Sequence, residues 1–261
     1  MWRNFPQLLA DSTKLRVLAY SRQGYGSSTP ISGPRDIEFM RDEAIRVLPA
    51  LLNSLEIENP ILIGHSDGAS IALLAAAVQK NILATIVLAP HLFVENICVT
   101  AITETVATYK DEATQLRTKL AKFHTDVDGA FYGWANVWLS QQFLQWNIEA
   151  GIAPITCPLL AIQGEQDQYG TMKQLDQLKV KVPHAQLLKL DNCRHSPQFD
   201  QTEKVLAAIK QFIALARKPE PQARIGDALS ELCRKTGLSN NDFDAIQKTK
   251  DKTPAKPMTF D

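Results

Sequence analysis

The sequence lacks several features that mark common classes of protein. Its 28 basic and 28 acidic residues cancel, so no excess positive charge favours nucleic acid or an anionic membrane as partner. Its 4 cysteines are scattered, without the paired spacing that suggests zinc. No charged leader followed by an apolar core opens the chain, and no apolar run approaches the ~18 residues of a membrane span. We therefore expect a cytoplasmic protein with free thiols.

What the chain has is enough apolar material for a sizeable core. Of its 261 residues, 45% are hydrophobic, which suits one large domain or a domain with an appendage. Short apolar runs alternate with stretches of helical periodicity, as in a parallel sheet covered by helices. This alternation predicts an α/β fold.

The most informative stretch is Pro60 to Ala69, where a buried strand, a turn with two glycines and a helix start follow one another. It is typical of a nucleophile elbow, with Ser66 at the sharp bend. We expect positions 64 and 68 to require glycine, because a side chain at either of them would collide with the neighbouring backbone. Ser66 then lies at the positive end of the following helix, with its hydroxyl exposed.

Two later loops supply the partners that a serine nucleophile needs. The loop after the strand ending at Gln163 contains Asp167, with Glu165 as its closest competitor, and the loop after the last strand contains His195. A histidine can take the serine proton and return it to the leaving group, while a carboxylate fixes the tautomer of the imidazole. Ser66, Asp167 and His195 are therefore the candidate catalytic residues.

The predicted elements divide the chain into four parts. Residues 1–95 form the first part of the core, with a helix over Met1 to Ser12, a strand over Leu15 to Tyr20 and a helix after Asp36 that Pro49 bends. The predicted insertion at 96–156 is a helical cap with dense aromatic residues, and residues 157–217 complete the core. We expect His65, Trp134 and Trp138 to contact the substrate. Most of the other cap aromatics are expected to hold the cap together.

Residues 218–261 differ in composition from the rest. A linker rich in proline and charge precedes a short amphipathic helix that ends at Gly237, a second short helix is predicted near Asn240 to Lys248, and the last dozen residues are predicted to be disordered. Basic and acidic residues are nearly balanced here, which does not favour DNA binding. We expect this extension to dock on the core, on a second copy as a homodimer, or on another protein.

With the elbow, Asp167 and His195 in place, the chain resembles the α/β-hydrolase superfamily over roughly residues 1–217. The stretch Tyr20 to Ser27 also looks like the glycine-rich loop that follows the family's fourth strand. Serine at the elbow argues against the epoxide hydrolase and haloalkane dehalogenase branches, which use aspartate there. The resemblance implies hydrolysis of an ester, thioester or related acyl bond of a small, partly apolar substrate, without metal or cofactor.

The sequence departs from this family at its start. Members have three strands before the helix placed at residues 1–12, and the loop after the third contributes an oxyanion donor. The elbow supplies the other donor, the N–H of Asp67. Losing one such donor typically costs ~100 to 1,000-fold in rate. Two explanations compete: the sequence is the remainder of a longer protein, which we favour, or it is a degraded relative with impaired catalysis and an interaction role for its extension.

Overall fold

The structure, a computed structural model, describes residues 2–217 and Lys235. Two compact units divide the chain, Met1–Arg217 and Lys218–Asp261. The helices, linker and disordered end predicted for residues 218–261 lie outside the described residues, apart from Lys235 in a helical turn.

Helices and strands alternate over the first unit, interrupted by a run of helices between the second and third strands. The helices are α1 (Phe5–Thr13), α2 (Phe39–Asp42), α3 (Leu48–Ser54), α4 (Asp67–Val78), α5 (Asn96–Lys110), α6 (Leu116–Ala121), α7 (Val127–Trp138), α8 (Glu149–Ile152), α9 (Lys173–Lys181), α10 (Pro197–Asp200) and α11 (Thr202–Ala216). The strands are β1 (Ile61–His65), β2 (Ala84–Leu88), β3 (Leu159–Gly164) and β4 (Gln186–Leu190). Single 3₁₀ turns occur at Glu112–Thr114 and Phe143–Gln145.

The four strands form one sheet in the order β1-β2-β3-β4, and all neighbours are parallel. β2 and β3 are buried along their whole lengths, which explains why they read as continuous apolar runs. On one face Ile86 and Ile162 pack with α1 and α11, and on the other Val87 and Ala161 pack with α4 and the cap helices. The predicted α/β fold, a parallel sheet flanked by helices, is confirmed.

The predicted strand at Leu15–Tyr20 is wrong. In the structure this segment follows α1 without joining the sheet, and Leu18 is 54% exposed. Its apolar residues suit a strand, but a strand exists only where its backbone groups pair with a neighbour. β1 pairs with β2 alone among the described strands, so no ladder reaches this segment.

The helix predicted after Asp36 forms in pieces. The Asp36 carboxylate accepts the N–H of Glu38 at 2.7 Å, just before α2 begins. A π-helical turn at Glu43–Val47 separates α2 from α3, and the N–H of Leu48 donates to the carbonyl of Glu43, five residues back. Proline at position 49 lacks an N–H and clashes with the preceding turn of an α-helix, so the wider turn accommodates the predicted bend.

Helices α5 to α8 occupy the region predicted to form the cap. Aromatic rings join them: Tyr109 on α5 stacks on Phe131 on α7 with centroids 3.7 Å apart. Within the described residues, no helix combines the length and apolar character needed to cross a membrane.

Candidate active site

Ser66 occupies the bend between β1 and α4 in a strained conformation, with φ 53° and ψ −123°. Its N–H donates to the carbonyl of Leu88 on β2 at 3.0 Å, which fixes the bend to the sheet. A Cβ on Gly64 would lie 2.1 Å from the carbonyl oxygen of Gly68, so Gly64 must be glycine. The matching expectation for Gly68 is wrong, because a Cβ there would meet nothing within 4 Å.

The structure brings Ser66, His195 and Asp167 together from the carboxyl ends of β1, β4 and β3. The Oγ of Ser66 is 3.0 Å from Nε2 of His195, and Nδ1 of His195 is 2.8 Å from Oδ1 of Asp167. With Nδ1–H donating to the carboxylate, Nε2 is left to accept the serine hydroxyl proton. This geometry can activate a hydroxyl nucleophile.

The carboxylate of Asp167 is almost completely buried and held by several donors. Besides His195, the N–H of Tyr169 donates to Oδ1 at 2.8 Å and the side-chain amide of Gln163 donates to Oδ2 at 3.2 Å. Burial alone would raise the pKa of Asp167, but the hydrogen bond from His195 and its charge outweigh this and lower it. Asp167 is therefore held ionised to orient the imidazole. Glu165, its competitor, is exposed.

The loop from residue 191 to residue 196 has to pass over the end of β3 to bring His195 to Ser66. A Cβ on Gly164 would lie 2.1 Å from the carbonyl oxygen of Cys193, so glycine at the end of β3 permits this crossing. Gln166 exchanges hydrogen bonds with the backbone of Cys193, and the N–H of Arg194 donates to Asp200 at 2.7 Å.

Asp67, the residue after the nucleophile, begins α4 and has two separable features. Its N–H belongs to the first turn, where amide groups lack partners within the helix and favour negative charge. Its side chain is buried, accepts a hydrogen bond from Nε1 of Trp138 at 3.1 Å and lies 3.7 Å from the guanidinium of Arg22. Burial raises the pKa of this carboxyl, while Arg22 and Trp138 oppose the rise.

Two buried histidines lie beside His195. The ring of His65 lies 5.0 Å from the ring of His195, and that of His91 lies 5.7 Å away. Burial, assisted by the nearby His195, lowers the pKa of each to about 3. Both are therefore neutral at physiological pH.

Of the three residues expected to contact the substrate, two are buried. His65 is buried and its Nε2 lies 2.7 Å from the carbonyl oxygen of His195. Trp138 is 1% exposed and bonded to Asp67, and Trp134 is half-buried with its ring against Phe131. The sequence interpretation missed Arg22 as a partner of Asp67 and His91 as a neighbour of His195. Each had a signal in the sequence: Arg22 lies in the glycine-rich loop, and His91 follows the end of a buried strand.

A cavity of about 450 Å³ lies between residues 31–37 and the outer face of α7. Its lining is mainly apolar, with Ile31, Pro34 and Tyr132 among its walls, and does not include Ser66, Asp167 or His195. No group of three or more histidine, cysteine, aspartate or glutamate side chains in the part that the structure describes is arranged to hold a metal ion.

Comparison with known proteins gives a consistent result. The sequence model of the alpha/beta hydrolase family matches residues 1–208, whereas no curated protein matches the chain. Among solved structures, a carboxylesterase of Nitrososphaera gargenis is 21% identical with a TM-score of 0.64, covering 82% of this chain and 85% of its own. A thermophilic esterase from Thermogutta terrifontis is 17% identical with a TM-score of 0.63, covering 83% and 86%. A meta-cleavage product hydrolase from Pseudomonas fluorescens has the same identity, TM-score and coverage as that esterase.

Proposed function

Because the chain belongs to the alpha/beta hydrolase family, we propose that it is a serine hydrolase that cleaves an acyl bond through an acyl-enzyme on Ser66. The observation that carries this proposal is the hydrogen-bonded series from Ser66 Oγ to His195 Nε2, at 3.0 Å, and from His195 Nδ1 to Asp167, at 2.8 Å. A serine hydroxyl is too weakly acidic to attack a carbonyl without such a base.

Each residue has one role in the proposed reaction. Ser66 Oγ attacks the carbonyl carbon while its proton passes to Nε2 of His195, and the tetrahedral intermediate then collapses as His195 protonates the leaving group. A water molecule next gives a proton to His195 as its oxygen attacks the acyl carbon, and the second tetrahedral intermediate collapses to the free acid as His195 returns that proton to the Oγ of Ser66. Asp167 holds the imidazole in the tautomer that both steps require and stabilises its positive charge.

The N–H of Asp67 is the proposed donor to the oxyanion. It stands at the first position of α4, directly after Ser66, where the partial positive charge of a helix start favours a developing negative charge. The side-chain carboxylate of Asp67 has a separate partner, because Nε1 of Trp138 donates a hydrogen bond to it.

The proposed substrate is a small, partly apolar ester, thioester or related acyl compound. Neighbours that share the fold include an esterase, carboxylesterases and a meta-cleavage product hydrolase. The cap helices add apolar and aromatic surface, with Tyr132, Trp134 and Trp146 partly buried. Such a surface suits the apolar part of an acyl or alcohol group.

Labelling with a fluorophosphonate probe tests the proposal without knowledge of the substrate. The full chain is expected to be labelled, and Ser66→Ala is expected to abolish both labelling and hydrolysis of p-nitrophenyl acetate. Ser54→Ala, which removes an exposed hydroxyl at the end of α3, is the matched control and keeps the wild-type rates. A folded wild-type chain that reacts with neither reagent would favour an impaired relative, and labelling of Ser66→Ala at the wild-type rate would overturn the assignment.

A further inference from the structure

His65 makes a contact that the proposed reaction does not use. It is the last residue of β1 and directly precedes Ser66. Its side chain is buried, and its Nε2 lies 2.7 Å from the backbone carbonyl oxygen of His195. His65, which precedes the nucleophile Ser66, is thus hydrogen-bonded to the backbone of the proposed base, His195.

The chemistry of the acceptor settles which nitrogen carries the proton. A carbonyl oxygen only accepts, so Nε2 of His65 must donate and Nδ1 of the neutral ring carries a lone pair. Among the described residues that buried Nδ1 atom has no hydrogen-bond partner, which costs stability. The bond at Nε2 is therefore the hydrogen bond that the ring makes within this part of the chain.

The other anchors of the His195 loop come from elements away from the nucleophile. Gln166 follows β3 and bonds to Cys193, while Asp200 lies on α10 and accepts the N–H of Arg194. Among the hydrogen bonds of the described residues, the one from His65 ties the His195 backbone to β1. β1 is also the strand that positions Ser66.

We propose that His65 is a positioning residue that holds the backbone of His195 so that its imidazole stays within hydrogen-bond distance of Ser66. This inference rests on the proposed function for its effect on rate. Ser66 is fixed by the strained elbow and by its bond to Leu88, so the separation of nucleophile and base is decided by the loop. Misplacing a reacting group by about 1 Å can cost about 100-fold in rate.

The surroundings of His65 argue against direct contact with substrate. The ring of Trp2 lies 6.2 Å from that of His65, nearly edge-on. Its exposed fraction is 6%. His65 therefore acts through His195 rather than on the reacting atoms.

A pair of amide substitutions separates the hydrogen bond from the ring. In glutamine the amide nitrogen is three bonds from Cβ, as is Nε2 of histidine, whereas in asparagine it is one bond nearer. His65→Gln is expected to retain kcat within about threefold, and His65→Asn to lower kcat by about 10 to 100-fold with KM little changed. Fluorophosphonate labelling rates should follow kcat.

His184 provides the matched control. Its Nε2 also lies 3.0 Å from a backbone carbonyl, that of Cys157, but far from the triad and on the surface. His184→Asn removes the same kind of bond and is expected to keep the wild-type kcat. Equal kcat and labelling rate in wild type and folded His65→Asn would overturn the proposal, as would equal losses in His65→Asn and His65→Gln.

Nitrogen-15 NMR of the histidine rings separates failure of this proposal from failure of the proposed function. In the catalytically inert Ser66→Ala chain, His65 is expected as the Nε2–H tautomer with no titration between pH 5.5 and 8. The chemical shift of the Nδ1–H proton of His195 should change when His65→Asn is added and should stay the same with His65→Gln. Two results would refute the positioning role whether or not the chain hydrolyses any substrate. One is an Nδ1–H tautomer of His65, and the other is a His195 signal that neither His65→Asn nor His65→Gln shifts.

Discussion

Mild acid should destabilise the folded protein through two buried histidines. Burial lowers the pKa of His65 and of His91 from 6.5 to about 3. Between pH 6.5 and about pH 3 these histidines bind a proton in the unfolded chain but not in the folded chain. The free energy of unfolding therefore falls as the pH falls below 6.5. The effect is complete near pH 3 and absent above about pH 7.5.

The size of this effect follows from proton linkage. Each pH unit below 6.5 costs about 1.4 kcal/mol for each histidine that stays neutral in the fold. At pH 5 the loss is then about 2 kcal/mol for each residue, or about 4 kcal/mol for the pair. This is a large share of the roughly 5 to 15 kcal/mol by which domains are stable. Partial burial lowers the pKa of His124 as well and adds a smaller contribution of the same sign.

Urea unfolding at pH 7.5 and pH 5 measures the histidine contributions together with an opposing one from Asp67, because burial raises the pKa of that carboxyl. In His91→Gln the difference between the two pH values is expected to shift by about 2 kcal/mol, because one titrating group of the pair is gone, whatever the substitution does to absolute stability. His184→Gln, at an exposed site, should keep the wild-type difference. Asp167 does not interfere, because its pKa is lowered from 3.8 and its contribution is lost only at more acidic pH. A difference between pH 7.5 and pH 5 that is the same in His91→Gln as in the wild type would refute the reasoning.

Other predictions concern the elbow and its neighbours. Gly64→Ala should abolish fluorophosphonate labelling, because its Cβ would meet the Gly68 carbonyl oxygen at 2.1 Å. The matched variant Gly68→Ala should fold and be labelled, because its Cβ meets open space. Equal behaviour of the two variants in labelling and thermal melting would contradict this prediction. Asp167→Asn should lower kcat about 10,000-fold through the wrong imidazole tautomer, and a loss below tenfold in ester hydrolysis would contradict the assigned role. Trp138→Phe should cost about 1 to 3 kcal/mol in urea unfolding, because it removes a donor from the buried carboxylate of Asp67, and an unchanged midpoint and slope would show that this bond contributes nothing.

The sequence allowed the elbow and its partners to be located because their signals are local. Gly64 and Ser66 lie in one strand-turn-helix segment, and Asp167 and His195 each follow the end of a strand. Parallel strands place all such ends at one edge of the sheet, so three local signals predict that the side chains meet. No knowledge of the packing between distant segments is needed.

The failed strand prediction depends on partners that are distant in the sequence. The segment Leu15–Tyr20 has the apolar composition of a strand, but pairing is decided by which strands lie beside it, and none does among the described residues. The hydrogen bond from Trp138 to Asp67, 71 residues away, likewise has no signal in the local sequence. A local pattern indicates that a side chain is apolar or polar, whereas its partner is set by the packing of the whole unit.

The buried polar groups around His195 also explain how a strained elbow and a separate loop can form one site. Strain such as that at Ser66 costs on the order of 1 to 3 kcal/mol and persists only where its surroundings fix it. Here the carbonyl of Ser66 accepts the N–H groups of Ala69 and Ser70, and its N–H donates to Leu88. The nucleophile is thus held by the sheet and α4. The base lies on a loop that crosses β3 and needs its own bonds to the same framework. A histidine at position 65 supplies one of them from the strand that carries the nucleophile, so the separation of Ser66 and His195 depends on one rigid element rather than on two.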